Sequence, residues 1–179
     1  MRHKTWVLLF VVAVAVLMVA TPLSAKEPLR GDQVMVLNQD MDGNFGAFGC
    51  PDISWFGEIE IDETTYGMAL YPLPGKGFTG QGLVLHYTEA WRIFDGQFAF
   101  DDSLQIEACE PGSVLLAGTD SGVGVMSNGK FRSTGVVEEA YAPFQEWIHR
   151  TVFQDGMMAM VDFGGASSLP GFYGDLRLN

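Results

Sequence analysis

The amino-acid sequence predicts an all-β protein, and we expect a single antiparallel barrel in preference to a β-sandwich. From Gln33 onward, short apolar runs are separated by turn residues at intervals of about ten, which is typical of both architectures. Several runs alternate apolar and polar residues, as strands with one buried face do. The same stretch has no long segment with the periodicity of an amphipathic helix.

A hairpin is predicted near the start of the domain. Residues 53–62 alternate apolar side chains with a largely acidic series that includes Glu58 and Glu60. Residues 66–70 repeat the alternation after a short polar break, so the two runs should pair. Proline and glycine dominate residues 72–82, where we expect a loop because neither a helix nor a central strand tolerates that composition.

The remaining strands are expected to be short and joined by turns that contain glycine. They are predicted at residues 83–94, 97–101, 104–109, 114–117, 123–126, 130–137, 151–153 and 157–163. Asp95-Gly96 is a strong hairpin signal, and residues 119–122 (Thr-Asp-Ser-Gly) are predicted to form a tight turn. Glycine and serine are frequent in residues 164–179, which we expect to form a C-terminal tail.

One short helix is predicted near residues 143–149. Pro143 suits the first position of a helix, because proline lacks a backbone N–H that a helix start leaves unpaired. Phe144, Trp147 and Ile148 would then share one face. We expect about two turns that plug or cross the β domain.

The N-terminal segment, residues 1–25, has the layout of a secretory signal peptide. Arg2 and Lys4 give a basic start, residues 6–20 are apolar, and small residues lead to Ala25. The apolar run is shorter than the roughly 18 to 20 residues that a membrane anchor needs. We therefore expect cleavage after Ala25, one domain over residues 26–179, no stable membrane insertion afterwards, and a periplasmic or secreted location.

Composition limits the partners and predicts one covalent crosslink. The chain has 22 acidic and 10 basic residues and a formal net charge of −12. Nucleic acid is excluded as a partner, since phosphate binding needs clustered lysine and arginine. An even number of cysteines behind an export signal favours a disulfide, so we predict a bond between Cys50 and Cys109.

The segment 38–43 (Asn-Gln-Asp-Met-Asp-Gly) matches the first half of a calcium loop. Asn38, Asp40 and Asp42 would supply oxygen ligands at alternate positions, with glycine at the sharp turn. The twelfth position is glycine instead of glutamate, and Asp52 could supply the missing carboxylate. The same residue types also suit an ordinary acidic turn. Calcium is the one cofactor that the sequence suggests.

The candidate catalytic residues are two histidines and two glutamates. General acid–base catalysis needs titratable groups that converge in a cleft. His86, Glu58 and Glu60 could converge only if their strands are neighbours. His149 lies at the end of the predicted helix, where a cation suits the helix dipole. Surface or capping positions are the alternative for both histidines.

Two short segments resemble parts of known barrel families. Residues 129–136 (Gly-Lys-Phe-Arg-Ser-Thr-Gly-Val) resemble the Gly-Arg-Phe and following Gly of barrel proteins similar to dirigent proteins and allene oxide cyclases. Trp55-Phe56-Gly57 is similar to the early tryptophan segment of lipocalin-type barrels. Both resemblances imply a barrel that is lipocalin-like or allene-oxide-cyclase-like in outline, and a shared fold implies no particular function.

The sequence favours a non-catalytic ligand-binding or interaction module, acting as a monomer or small homo-oligomer. Its partner would be a small molecule, a glycan or an envelope protein. Trp147 is the aromatic residue most available to a ligand, because Trp55 and Trp91 fall on apolar strand faces. One alternative is a small extracytoplasmic hydrolase or isomerase that uses histidine and acidic residues. Another is a structural protein stabilised by calcium.

Overall fold

The computed structural model describes residues 27–39, 46–73, 79–81, 84–163 and 167–179. The predicted signal peptide and the middle of the predicted calcium loop lie outside these ranges. No helix within the ranges is long and apolar enough to cross a membrane.

The described strands form a closed, eight-stranded antiparallel barrel, which confirms the predicted fold class. The strands are β1 (Leu29–Leu37), β2 (Trp55–Ile61), β3 (Thr64–Pro72), β4 (Thr79–Gln81), β5 (Val84–Phe94), β6 (Val114–Val125), β7 (Lys130–Ala140), β8 (Thr151–Phe163) and β9 (Ser167–Leu178). Each barrel strand pairs with the next in the chain, and β9 pairs with β1 to close the ring. The short strand β4 pairs only with the beginning of β5, while β3 pairs with the end of β5.

The predicted hairpin at the start of the domain is present as β2 and β3. Asp62 and Glu63 both have positive φ, 49° and 62°, which suits the two-residue turn that matches the twist of paired strands. Trp55, Ile59 and Ile61 are buried inside the barrel, whereas the intervening acidic side chains are exposed. The alternation of the sequence therefore identified the inner face of β2 correctly.

The predicted turn at residues 119–122 and the predicted C-terminal tail are wrong. Strand β6 runs without a break from Val114 to Val125, so the Thr-Asp-Ser-Gly segment lies in mid-strand. Strand β8 likewise runs through Asp155-Gly156. Residues 167–178 form β9, which pairs on both sides. Glycine and serine are tolerated there because both neighbouring strands hydrogen-bond to the backbone.

Three more local predictions differ from the structure. Residues 97–101 and 104–109 contain only an isolated bridge between Phe100 and Ile106, because the hairpin expected at Asp95-Gly96 does not form. The predicted helix is a single 3₁₀ turn over Gln145–Trp147. Within the loop expected at residues 72–82, positions 79–81 form β4. Positions 74–78 and 82–83 lie outside the described residues.

A second apolar cluster lies on the outside of the barrel. Residues 95–113 cross the outer face of β2, where the rings of Phe98 and Phe100 lie 5.8 and 5.6 Å from the ring of Phe56. The disulfide between Cys50 and Cys109 ties this segment to the connection between β1 and β2, with 5.6 Å between the two Cα atoms. The predicted disulfide is therefore confirmed.

Glycines on the inner face of β6 make room for interior rings. A Cβ atom on Gly118 would lie 2.6 Å from Cζ2 of Trp91, which is closer than atoms can approach. Gly124 is also on the inner face, but a Cβ atom there would meet only Cβ of Phe131, at 3.9 Å. The barrel is thus tightly filled around Trp91 and has free space near Gly124.

We expect Gly118→Ala to lower the free energy of unfolding by about 3 kcal/mol, because the added methyl group would overlap Trp91 and the Val136 carbonyl. Gly124→Ala is the matched control on the same strand and face, and should change the free energy by at most about 0.5 kcal/mol. Urea unfolding followed by circular dichroism measures both values. Equal losses in the two variants would contradict the packing described.

Candidate functional site

The two ends of the barrel differ, since one is plugged. The 3₁₀ turn after β7 places Phe144 and Trp147 in the interior at one end, where both side chains are buried. The ring of Phe144 packs edge-on against Tyr66, with 5.8 Å between ring centroids. Trp147, the predicted ligand-binding aromatic, is 4% exposed and belongs to this plug.

A cavity of about 50 Å³ lies at the opposite end of the barrel interior. Its wall is almost wholly apolar and is built from the unplugged ends of the barrel strands. The residues that line it include Trp55, Leu70, Leu85, Tyr87, Glu89, Gly124, Met126, Lys130, Phe131, Met158 and Phe172. Met126 and Met158 are exposed and mark the mouth of the cavity. Space for about three water molecules is therefore available next to one carboxyl group, that of Glu89.

Behind the cavity, polar side chains form a buried network across the barrel. Glu89 on β5 and Asp120 on β6 are register partners, and both side chains face inward. Asp120 Oδ2 accepts hydrogen bonds from Ser133 Oγ at 2.5 Å and from Gln154 Nε2 at 2.6 Å. Gln33 Nε2 then donates to Gln154 Oε1 at 3.1 Å. Two carboxyl groups are thus held side by side in the interior.

Burial raises the pKa of both carboxyl groups. Removal from water raises the pKa of Glu89 well above its ordinary value, and the negative charge of Asp120 raises it further. Burial raises the pKa of Asp120 to about 6, although the hydrogen bonds from Ser133 and Gln154 favour the charged form. Both carboxyl groups therefore hold a proton to a higher pH than an exposed carboxyl group does.

The network has more acceptors than donors. Asp120 Oδ1 and Gln33 Oε1 are buried without a hydrogen-bond partner. In the part of the chain that the structure describes, no group is hydrogen-bonded to the carboxyl of Glu89, which is 6% exposed. Buried polar atoms are normally paired, so acceptors left free beside a cavity suit a donor from outside the chain.

The buried carboxyl pair predicts that stability falls as the pH rises. The folded protein holds these protons more tightly than the unfolded chain does, so stability is lost from about pH 4 upward. For Asp120 the loss continues through about pH 6, and the raised pKa of Glu89 adds a loss in the same direction. The gain in stability of Glu89→Gln over the wild type should therefore be larger at pH 8 than at pH 5. Urea unfolding at both pH values measures this gain, and a difference that is independent of pH would contradict the burial of Glu89.

The structure does not bring the predicted catalytic residues together. His86 lies on the outer face of β5 and is exposed, and Glu58 and Glu60 lie on the outer face of β2. Strand β2 pairs with β1 and β3, so it is not a neighbour of β5. His149 is exposed in the turn before β8, with a φ of 63°.

Only part of the predicted calcium loop can be described. Asp40 and Asp42 lie outside the described residues, and Asp52 is exposed. Asn38 is fully buried and uses its side chain within the protein: Nδ2 donates to the carbonyls of Cys50 and Ile53 at 2.7 and 2.9 Å. Among the described residues, no three His, Cys, Asp or Glu side chains are grouped so that they could hold a metal ion.

Sequence reasoning missed Glu89 and Asp120, and one of them had a visible signal. Glu89 interrupts an otherwise apolar face of β5 that includes Leu85 and Trp91. A charged residue at an inward position is rare unless it is paired or functional, so the interruption itself marked the site. Asp120 gave no such signal, because the Thr-Asp-Ser-Gly segment also has the composition of a turn.

Comparisons with models of protein families, with curated proteins and with solved structures give no match for this chain. Function is therefore inferred from the interior of the barrel alone.

Proposed function

We propose that the protein binds a small, largely apolar molecule inside its barrel, through the end opposite the plug. The observation that carries this proposal is the apolar cavity with the unpaired carboxyl of Glu89 on its wall. Eight-stranded barrels either fill their interiors with side chains or hold one small ligand. Ligand sites generally combine an apolar lining with a few polar groups that fix orientation, and this cavity has that composition.

The size of the cavity limits what can bind. About 50 Å³ accommodates the head of a ligand and its first few carbon atoms. A longer chain would extend between Met126 and Met158 at the mouth, where flexible thioether side chains adapt to different shapes. Burial of each methylene group contributes about 0.8 kcal/mol, so a butyl chain should bind with a Kd of about 5 mM.

Binding can be followed at the mouth of the cavity. The methyl groups of Met126 and Met158, labelled with carbon-13, should shift saturably when 1-butanol is added, because both side chains line the cavity. Gly124→Val should abolish the shifts, since the new side chain enters the free space at this position. Val123→Leu, which changes the outer face of the same strand, is the matched control and should bind normally.

Two results would contradict cavity binding. One is the absence of any saturable shift at Met126 and Met158 in the wild type. The other is an unchanged titration in Gly124→Val, which would place the butanol outside the barrel. Circular dichroism spectra of the two variants should overlay that of the wild type, so that lost binding is not confused with lost structure.

We also propose that the protein acts outside the cytoplasm, in the periplasm or the extracellular medium. A disulfide such as Cys50–Cys109 persists in oxidising compartments, which supports this proposal. The mass of protein recovered from the periplasm or the medium should correspond to residues 26–179 with two cysteine hydrogens lost. Recovery of the chain from the cytoplasm with residues 1–25 retained would contradict the proposal.

A further inference from the structure

We infer that the polar group of the ligand is a cationic amine, which the carboxyl pair of Glu89 and Asp120 receives at the inner end of the cavity. This inference rests on the proposed function, because it names the class of molecule that the same cavity takes. It follows from three features of the interior: the kind of polar atom left free, the charge of the site, and the shape of the lining.

The free polar atoms of the carboxyl pair are hydrogen-bond acceptors, whereas Trp91 Nε1, an unpartnered buried donor, does not line the cavity. Glu89 lines the cavity with a carboxyl that no described residue hydrogen-bonds, and Asp120 beside it has an unpartnered Oδ1. Both side chains are more than nine-tenths buried, since they are 6% and 3% exposed. A primary ammonium group has three donors and no acceptor, whereas a hydroxyl has one donor and brings further acceptors. The ammonium group therefore fits the site better.

The site also lacks a positive charge of its own. In the described residues, no lysine, arginine or histidine forms an ion pair with Glu89 or Asp120. Arg92 pairs with Glu110 on the outside of the barrel instead. A buried charge without a partner is costly, and a cationic ligand would supply the missing partner.

The other groups around the carboxyl pair are neutral or exposed to solvent. Tyr87 and Ser133 lie beside the carboxyls, and the pKa of Tyr87 is raised by burial and by their negative charge, so the phenol is neutral. Gln154 and Gln33 are amides. Lys130 lines the cavity but is exposed, so solvent screens its charge. Among the described residues, Glu89 is therefore the acidic group on the cavity wall, and Asp120 lies directly beside it on the neighbouring strand.

Ligands of similar chain length with different polar groups distinguish recognition of the amine from burial of the apolar chain. We would titrate butylammonium, 1-butanol and butanoate into the mature protein, residues 26–179, near neutral pH and record the Met126 and Met158 methyl shifts. Butylammonium should bind at least about tenfold more tightly than 1-butanol, because it adds a charge-assisted hydrogen bond. Butanoate should bind more weakly than either, since its charge repels the pair.

Glu89→Gln should lower the affinity for butylammonium at least about tenfold and leave that for 1-butanol within about threefold. Glu58→Gln is the matched control, because Glu58 is an exposed glutamate on the outer face of β2. A second measurement needs no variant: isothermal titration calorimetry in buffers of different ionisation enthalpy should detect proton release when butylammonium binds. The release is expected because burial raises the pKa of both carboxyl groups and the bound cation lowers it again.

The outcomes distinguish this inference from the proposed function. Equal affinity for butylammonium and 1-butanol, or tightest binding of butanoate, would overturn the amine assignment while leaving the cavity as a binding site. The assignment would also fail if Glu89→Gln kept its preference for the amine or if no protons were released. Failure of all three ligands to bind would overturn the proposed function together with the inference.

Discussion

Replacing both Cys50 and Cys109 with serine should lower the free energy of unfolding by about 4 kcal/mol. The two cysteines are 59 residues apart, so their bond closes a long loop in the unfolded chain and reduces its entropy. In the folded protein the bond joins residues 95–113 to the connection between β1 and β2, and Cys50 itself is buried. Urea unfolding of the oxidised wild type and the double variant measures the difference.

Reductant provides the control for the disulfide prediction. Reduced wild type should unfold at the same urea concentration as the double variant, and reductant should have no effect on the variant. Limited proteolysis should cut residues 95–113 first in the variant, because this segment has only one isolated β-bridge of its own. A loss below about 1 kcal/mol would show that the unfolded chain is already compact without the bond.

Asn38→Ala should lower the free energy of unfolding by about 3 kcal/mol. Asn38 is fully buried after the end of β1, and its amide makes three hydrogen bonds. It donates to the carbonyls of Cys50 and Ile53, and it accepts from the backbone N–H of Phe48 at 3.0 Å. Alanine would remove all three hydrogen bonds, and each lost bond costs roughly 1 kcal/mol. The Cys50 carbonyl would keep its bond from the N–H of Ile53, whereas the Ile53 carbonyl would lose the amide donor.

Asn128→Ala is the matched control for Asn38→Ala. The side chain of Asn128 accepts one exposed hydrogen bond, from the backbone of Lys130 at 3.0 Å, so its removal should cost less than about 1 kcal/mol. Asn38→Asp should be at least as destabilising as Asn38→Ala, since a carboxylate cannot donate to the two carbonyls. Chemical unfolding of the three variants tests the order, and equal losses for Asn38→Ala and Asn128→Ala would contradict the role given to Asn38.

The sequence was sufficient to predict the fold class and the inner face of several strands. Alternation identified the buried side of β2 because every second side chain of a strand faces the same side of the sheet. It failed where glycine occurs within a strand, as at Gly118 and Gly122 in β6, because glycine is also the usual turn residue. Closure of the barrel depends on the pairing of β9 with β1, and local sequence patterns do not encode pairing between strands so far apart.

The site was harder to predict than the fold. Histidines and glutamates are the usual acid–base groups, so the sequence indicated them as candidate catalytic residues. In the structure, His86 and Glu58 lie on the outer faces of strands that are not neighbours. The residues that meet inside the barrel, Glu89 and Asp120, are brought together by the pairing of β5 with β6. The register between β5 and β6 sets the contact between these two side chains, and no spacing of residues in the sequence reveals that register.

The central claim is that a ligand binds inside the barrel, and locating a bound ligand tests this claim most directly. Crystals of the protein soaked with 4-bromobutan-1-ol should show an anomalous bromine peak at the mouth of the cavity, between Met126 and Met158. The hydroxyl should point inward to Glu89, because this carboxyl is the polar group on the cavity wall that lacks a partner. Bromine peaks confined to the outer surface of the barrel, with the cavity unchanged, would contradict ligand binding inside it.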